Sequence, residues 1–137
     1  MDHVTTKLVF RHLSGARASA VDVVPIGAHR ELVLGRAPSA TVRFDPVHDR
    51  SVGRFHARIE ATAEAEVFRV VDLGSRNGTL LNGRLLSEPA ILRPGDRLRL
   101  GADGPEVQIG LERQDVAWPA TRGPWSKSPR SVTDSGL

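Results

Sequence analysis

The sequence predicts an all-β sandwich, and three observations lead there. Short apolar segments follow one another along residues 7–112. Several alternate apolar and polar side chains, as in Phe55-His56-Ala57-Arg58-Ile59-Glu60 and Arg97-Leu98-Arg99-Leu100, the pattern of strands with one face toward a core. Turn signals rich in glycine and proline separate these segments at regular intervals. The one stretch of helical composition, residues 57–65, reads equally well as a strand running into a turn, so no helix is required.

In chain order, strands are expected at 7–13 and 18–24, divided by Ser14-Gly15, and at 31–34 after Pro25-Ile26-Gly27. Gly35-Arg36-Ala37-Pro38 turns the chain into a strand at 41–44, and further strands are expected at 55–61, 67–73 and 79–81. Pro94-Gly95-Asp96 introduces a strand at 97–100, and Gly101-Ala102-Asp103-Gly104-Pro105 separates it from the last, at 106–112. From about Asp115 the composition shifts to proline and serine with little apolar pattern. The expected organisation is a sandwich domain over 1–114 and a disordered tail or linker over 115–137. Trp118 and Trp125 read either as anchors for that tail or as the start of a connection to something further.

Bulk properties narrow the function classes. Without cysteine there is no disulfide framework, thiolate nucleophile or cysteine-based metal site. No apolar run reaches membrane-spanning length and no secretory apolar core follows Met1, so a soluble, cytoplasmic chain with no membrane association is expected. Of the 19 basic residues 17 are arginine, whose planar forks suit oxyanions. They are interleaved with acids and there is no tyrosine for base stacking, which argues against nucleic acid as the partner.

Residues 71–83, Val71-Asp72-Leu73-Gly74-Ser75-Arg76-Asn77-Gly78-Thr79-Leu80-Leu81-Asn82-Gly83, carry two Asn-Gly pairs around a polar loop. Asn and Gly adopt positive φ at low cost, so a strand can stop here, present polar groups, run briefly and turn again. Taken alone the segment fits two hairpin turns as well as a binding loop.

Four segments in order settle the matter: Gly35-Arg36; Gly53-Arg54-Phe55-His56; Gly74-Ser75-Arg76-Asn77-Gly78-Thr79 with Asn82-Gly83; and Leu92-Arg93-Pro94-Gly95-Asp96 with Leu100-Gly101. Together, over roughly residues 7–112, they resemble the forkhead-associated (FHA) domain of the bacterial type. The resemblance implies an eleven-stranded β-sandwich whose loops at one end read phosphothreonine peptides. By position it makes Arg36 the arginine that meets the phosphate and Asn77 the amide that holds the peptide backbone. Ser51, Gly53, Ser75 and Arg76 complete the expected peptide contacts, while Gly35, His56, Gly78, Thr79 and Asn82 organise the loops. His56 has no second ligand at metal spacing, with His48 eight residues upstream, so neither metal nor cofactor is expected.

One position departs from the family. Where a Ser-Arg-x-His motif is usual, this chain has Gly53, and the phosphate-contacting hydroxyl is missing. A hydrogen bond to a charged group is worth about 1.5–3 kcal/mol, so an uncompensated loss weakens binding roughly tenfold to a hundredfold. Three substitutes are on offer: the Gly53 backbone N–H, the Ser51 hydroxyl, and a second guanidinium from Arg76. Arg54 is expected to point elsewhere.

The function implied is a phosphothreonine-recognition adaptor downstream of a Ser/Thr kinase, with a phosphoprotein partner. The competing reading is a phosphate-independent interaction module, because of Gly53. An enzyme is disfavoured: residues 74–78 make no nucleophile elbow, residues 101–104 are neither a dinucleotide fingerprint nor a P-loop, and Asp45 and Asp49 read as exposed turn acids. The chain's own phosphorylated termini, through Thr5, Thr6, Thr121 or Thr133, are a further candidate ligand.

Overall fold

A computed structural model describes residues 4–26, 31–64 and 67–115, and among these every regular element is a strand. The strands are β1 (Val4–His12), β2 (Val21–Pro25), β3 (Glu31–Gly35), β4 (Val42–Arg43), β5 (Ala57–Ala61), β6 (Phe68–Asp72), β7 (Thr79–Leu81), β8 (Arg84–Leu85), β9 (Ala90–Leu92), β10 (Arg97–Leu100) and β11 (Glu106–Asp115). They form two sheets, of order β2-β1-β11-β10-β7-β8 and β4-β3-β5-β6-β9. β3 and β4 pair in parallel, Leu34 beside Val42 and Gly35 beside Arg43, so the segment after Gly35 must loop round to re-enter in the same direction.

The alternation in the sequence becomes the two faces of each sheet. Leu98 and Leu100 of β10 and Val107 and Ile109 of β11 are buried, as are Leu8 and Phe10 of β1. From the other sheet come Leu32 and Leu34, Ala57 and Ile59, Phe68 and Val70, and Leu92. These residues form the core between the sheets. On the solvent side of the smaller sheet Glu60 of β5 takes Arg58 at 3.0 Å and Arg69 of neighbouring β6 at 2.7 Å. That pairing keeps the outer face of the smaller sheet charged, as an open antiparallel face requires.

Nine of the strands fall where the sequence predicts them, with ends shifted by a few residues. β8 and β9 bring the count to the eleven that the resemblance implies, although the alternation does not locate them: two and three residues are too short for a period of two to show. The stretch beginning at Ala57 is strand β5 through Ala61. The acids Asp45 and Asp49 are not the exposed pair expected. Asp45 accepts the N–H groups of Val47 and His48, each at 2.8 Å, and Asp49 is buried. Thr5 and Thr6, read as part of a flexible terminus, lie within β1. Thr6–Glu112 is a compact unit by itself; of the remainder, residues 4–5 and 113–115 are described, as strand. The tail, including Trp118, Thr121, Trp125 and Thr133, lies outside the described residues.

Candidate functional site

Three loops are bound to one another at one end of the strands: residues 36–41 after β3, 44–56 before β5, and 73–78 after β6. A fourth turn, 101–104 after β10, packs against them. Their assembly starts at Gly35. A Cβ there would lie 2.0 Å from the Arg54 carbonyl oxygen, so only glycine lets β3 pass this close to the next loop. The contact is sealed by the N–H groups of Arg36 and Ala37, which donate to the carbonyls of Gly53 and Arg54 at 2.9 and 3.0 Å.

Arg36 is therefore held before any ligand arrives. Its Nε donates to the Val52 carbonyl and its Nη1 to the Pro46 carbonyl at 3.0 Å. A guanidinium carries five N–H groups, so three remain without a protein acceptor among the described residues. The residue is half-buried. Arg76, by contrast, is exposed in the 73–78 loop and its guanidinium makes no hydrogen bond or ion pair among the described residues. Arg54 is likewise exposed, and its guanidinium has no partner among the described residues.

His56 is the pin beneath these loops. It is fully buried; Nδ1 accepts the Gly53 N–H at 2.9 Å and Nε2 faces the Gly78 carbonyl at 2.9 Å. The first contact needs a bare nitrogen and the second an N–H, which fixes a neutral imidazole with its proton on Nε2. Burial pushes the His56 pKa down, against the weaker opposing pull of the Gly78 carbonyl and Asp72. The Gly78 carbonyl also accepts the Gly101 N–H at 2.8 Å, tying in the fourth turn.

Asp72 is the organiser that the sequence did not single out. It accepts the Ser75 N–H at 2.9 Å, the Ser75 hydroxyl at 2.5 Å and the Thr79 hydroxyl at 2.7 Å. Burial alone would push its carboxyl up, but the hydrogen bonds from Ser75 and Thr79 outweigh that and hold it below the ordinary carboxylate range. Its signature is legible afterwards: an acid at the strand end, three residues before a serine, is an Asx-type cap of the loop.

These contacts revise the expected roles. The Gly53 N–H cannot replace the missing hydroxyl, because His56 takes it. Nor is the Ser51 hydroxyl free: it donates to the Leu100 carbonyl at 3.1 Å. The Ser75 hydroxyl is engaged as well, donating to Asp72 and accepting the Gly78 N–H at 2.9 Å. Asn77 spans two loops, donating from Nδ2 to the Ser51 carbonyl at 2.9 Å, with one amide N–H and its oxygen left over among the described residues. Thr79 is fully buried below. Asn82 is not brought to this end at all: it sits beyond the far end of β7, bonded to Asp96 at 3.0 Å and to the Arg97 N–H at 2.9 Å.

Of the residues expected at the site, those with donors left over among the described residues are thus cationic or amide, Arg36, Arg76 and the second N–H of Asn77, and Arg54 is a further exposed guanidinium in the 44–56 loop. An open cleft of about 560 Å³ beside the 44–56 loop is lined by His48, Asp49, Arg50, Ser51, Gly104 and Pro105 among others, and by none of Arg36, Arg76 and Asn77. A tetrahedral oxyanion fits such a donor set, because forked guanidiniums can address two of its oxygens together.

Comparison with known proteins agrees with this fold. A model of the FHA domain family matches residues 32–101. The angiogenic factor with G patch and FHA domains 1 of Mus musculus is 29% identical over 89 residues, 61% of this chain. The chain spans only 11% of the length of the curated relatives it matches. An FHA domain of an Arabidopsis thaliana protein superposes with a TM-score of 0.65 at 25% identity, covering 86% of this chain and 92% of that one. A solved structure from work on phosphothreonine-dependent FHA domain interactions superposes with a TM-score of 0.60 at 25% identity, covering 76% and 95%.

Proposed function

This chain belongs to the FHA domain family, and from that premise we propose that its loop end binds phosphothreonine in a partner protein, as a cytoplasmic adaptor downstream of a Ser/Thr kinase. The observation that carries the reading is the division of donors. The hydroxyls of Ser51, Ser75 and Thr79 all donate within the protein, while three N–H groups of Arg36, the whole guanidinium of Arg76 and half the amide of Asn77 face no acceptor among the described residues. The FHA structure at 25% identity comes from phosphothreonine-dependent interactions, which supports the same reading.

The mechanism is electrostatic. Arg36 is fixed by the carbonyls of Val52, Pro46 and Gly53, so its ordering cost is met on folding and its free N–H groups meet the dianion at little further cost. Arg76 closes from the opposite loop and takes the place of the hydroxyl absent at Gly53. Asn77 offers donor and acceptor to the peptide backbone beside the phosphothreonine. No reaction is catalysed in this reading: His56 has both nitrogens engaged and Asp72 already accepts three hydrogen bonds within its own loop, so neither is poised as a general base.

Calorimetric titration with a phosphothreonine peptide library and its unphosphorylated twins tests it. The parent should bind only the phosphorylated set, Arg36→Ala should bind at least about a hundredfold more weakly, and Arg76→Ala about tenfold more weakly. If Arg76→Ala bound as tightly as the parent, the two-arginine clamp would be wrong. Equal capture of both libraries would favour the second reading, a phosphate-independent interaction module, for which the glycine at 53 is the supporting observation.

A further inference from the structure

The turn at residues 13–20, between β1 and β2, lies outside the loops that carry Arg36, Asn77 and Arg76, yet it reaches Arg36 by two routes. In the first, Arg17 forks onto Asp22, Nη1 to Oδ2 at 2.6 Å and Nη2 to Oδ1 at 3.0 Å, and Nη1 also donates to the Arg43 carbonyl at 2.9 Å. Arg43 Nε in turn donates to the Arg36 carbonyl at 3.2 Å. The second route starts one residue earlier. The Ala16 N–H donates to Asp49 Oδ1 at 3.0 Å, and the other oxygen of that buried carboxylate accepts the Asp45 N–H at 3.4 Å. Asp49 thereby holds the 45–49 turn, whose Pro46 carbonyl receives Arg36 Nη1.

One route ends on the backbone of Arg36 and the other on its guanidinium. Beneath both, His12 is buried with Nε2 2.9 Å from Asp22 and its ring edge-on to Phe44, centroids 5.3 Å apart. The Phe44 N–H donates to the Gly35 carbonyl at 2.9 Å, one residue before Arg36. The turn itself is committed to this placement by Gly15, at φ 91° and so close that a Cβ would come within 2.6 Å of Pro105 Cβ and 3.0 Å of Asp49 Oδ1.

We infer that the β1–β2 turn is a positioning element for the phosphate-binding arginine, with Arg17 and Asp22 as its positioning residues. The inference rests on the proposed role of Arg36, so its test has one readout that needs no ligand. In the ¹⁵N-labelled full chain, Arg17→Gln and Asp22→Asn should each loosen the Arg36 backbone on which the first route ends, and so speed solvent exchange of its Nε–H, bonded to the Val52 carbonyl, by about fivefold, and leave the exposed Arg54 and Arg76 unchanged. The double variant should match either single one, because both cut the same chain of bonds. A phosphothreonine peptide that binds the parent should bind these variants about fivefold more weakly.

Native-like spectra with unchanged exchange at Arg36 would overturn the inference. Loss of exchange protection together with no peptide binding by the parent would uphold the positioning role and overturn the proposed ligand instead. Arg43→Ala, at an exposed side chain that carries only the first route, serves as the test if either variant fails to fold, and faster exchange at Arg36 is again the expected result.

Discussion

The two Asn-Gly pairs of this chain, five residues apart, sit at opposite ends of β7 and do different work. Asn82 and Gly83 both have positive φ, 50° and 86°, and make the tight turn from β7 to β8. Asn82 then fastens Asp96 and Arg97 of the neighbouring turn. At the other end only the glycine of the pair, Gly78, has positive φ, at 81°, and Asn77 reaches across to Ser51 in a different loop. One pair closes a hairpin with its own backbone; the other joins loops and keeps polar atoms in reserve. The difference lies in what the fold brings opposite each pair, so the dipeptide by itself announces a turn and nothing about its use.

The sharpest way to break this contrast is to crowd each end with one methyl group. Gly35→Ala places a Cβ on a backbone carbonyl, whereas at Gly83 nothing lies within 4 Å. The first should cost about 3 kcal/mol or abolish folding, the second about 1 kcal/mol from φ alone. Urea unfolding of the two variants checks this, and equal losses would mean that the loop end is not the tightly built one.

Next in size is the exchange of roles between the asparagines. Asn82→Ala should lower stability by about 1–2 kcal/mol and leave peptide affinity alone. Asn77→Ala should do the reverse, with affinity down about tenfold and little change in denaturation midpoint. A binding defect in Asn82→Ala at full stability would contradict its assignment to the far end.

A gain is expected from Gly53→Ser. The three atoms nearest to a Cβ at this position all belong to His56, at 3.7–3.9 Å, so the Cβ is accepted in ordinary contact. The added hydroxyl should raise phosphothreonine-peptide affinity by roughly fivefold to tenfold without loss of thermal stability. An unchanged dissociation constant would indicate that Arg76 already fills the gap.

The smallest effect is a pH slope confined to the loop end. His56 has its pKa pushed down by burial, so as pH falls below the ordinary imidazole value of about 6.5 the unfolded chain takes a proton that the folded one refuses. Its contribution to stability is complete above that pH and declines below it, until the folded-state pKa is reached. Melting temperatures between pH 7.5 and 5 should therefore fall less steeply in His56→Gln than in the parent; identical slopes would place the titrating group elsewhere.

How much of this was legible depended on the range over which each signal acts. Strands such as Arg97–Leu100 announce themselves by alternation, and Gly35-Arg36 by a turn that ends one. Arg36 and Asn77 could be singled out because several motifs occur in a fixed order. The occupancy of each donor could not, since the acceptors are remote in sequence: Leu100 for Ser51, Gly78 for His56, Pro46 for Arg36. The same remoteness misplaced Asn82, whose partners come from the turn at Asp96, whereas Asp72 has local partners in Ser75 and Thr79 and its acid reads as an ordinary turn residue.

The glycine at 53 has a consequence in time. Encounter rates for a charged peptide are set by diffusion and steering, so contacts at the site govern mainly how long a complex lasts. A site that holds its ligand by two arginines and lacks the hydroxyl releases it sooner, roughly in proportion to the affinity forgone. Under the proposed function, such a module would follow the current output of a kinase, with little memory of earlier phosphorylation once the kinase falls silent.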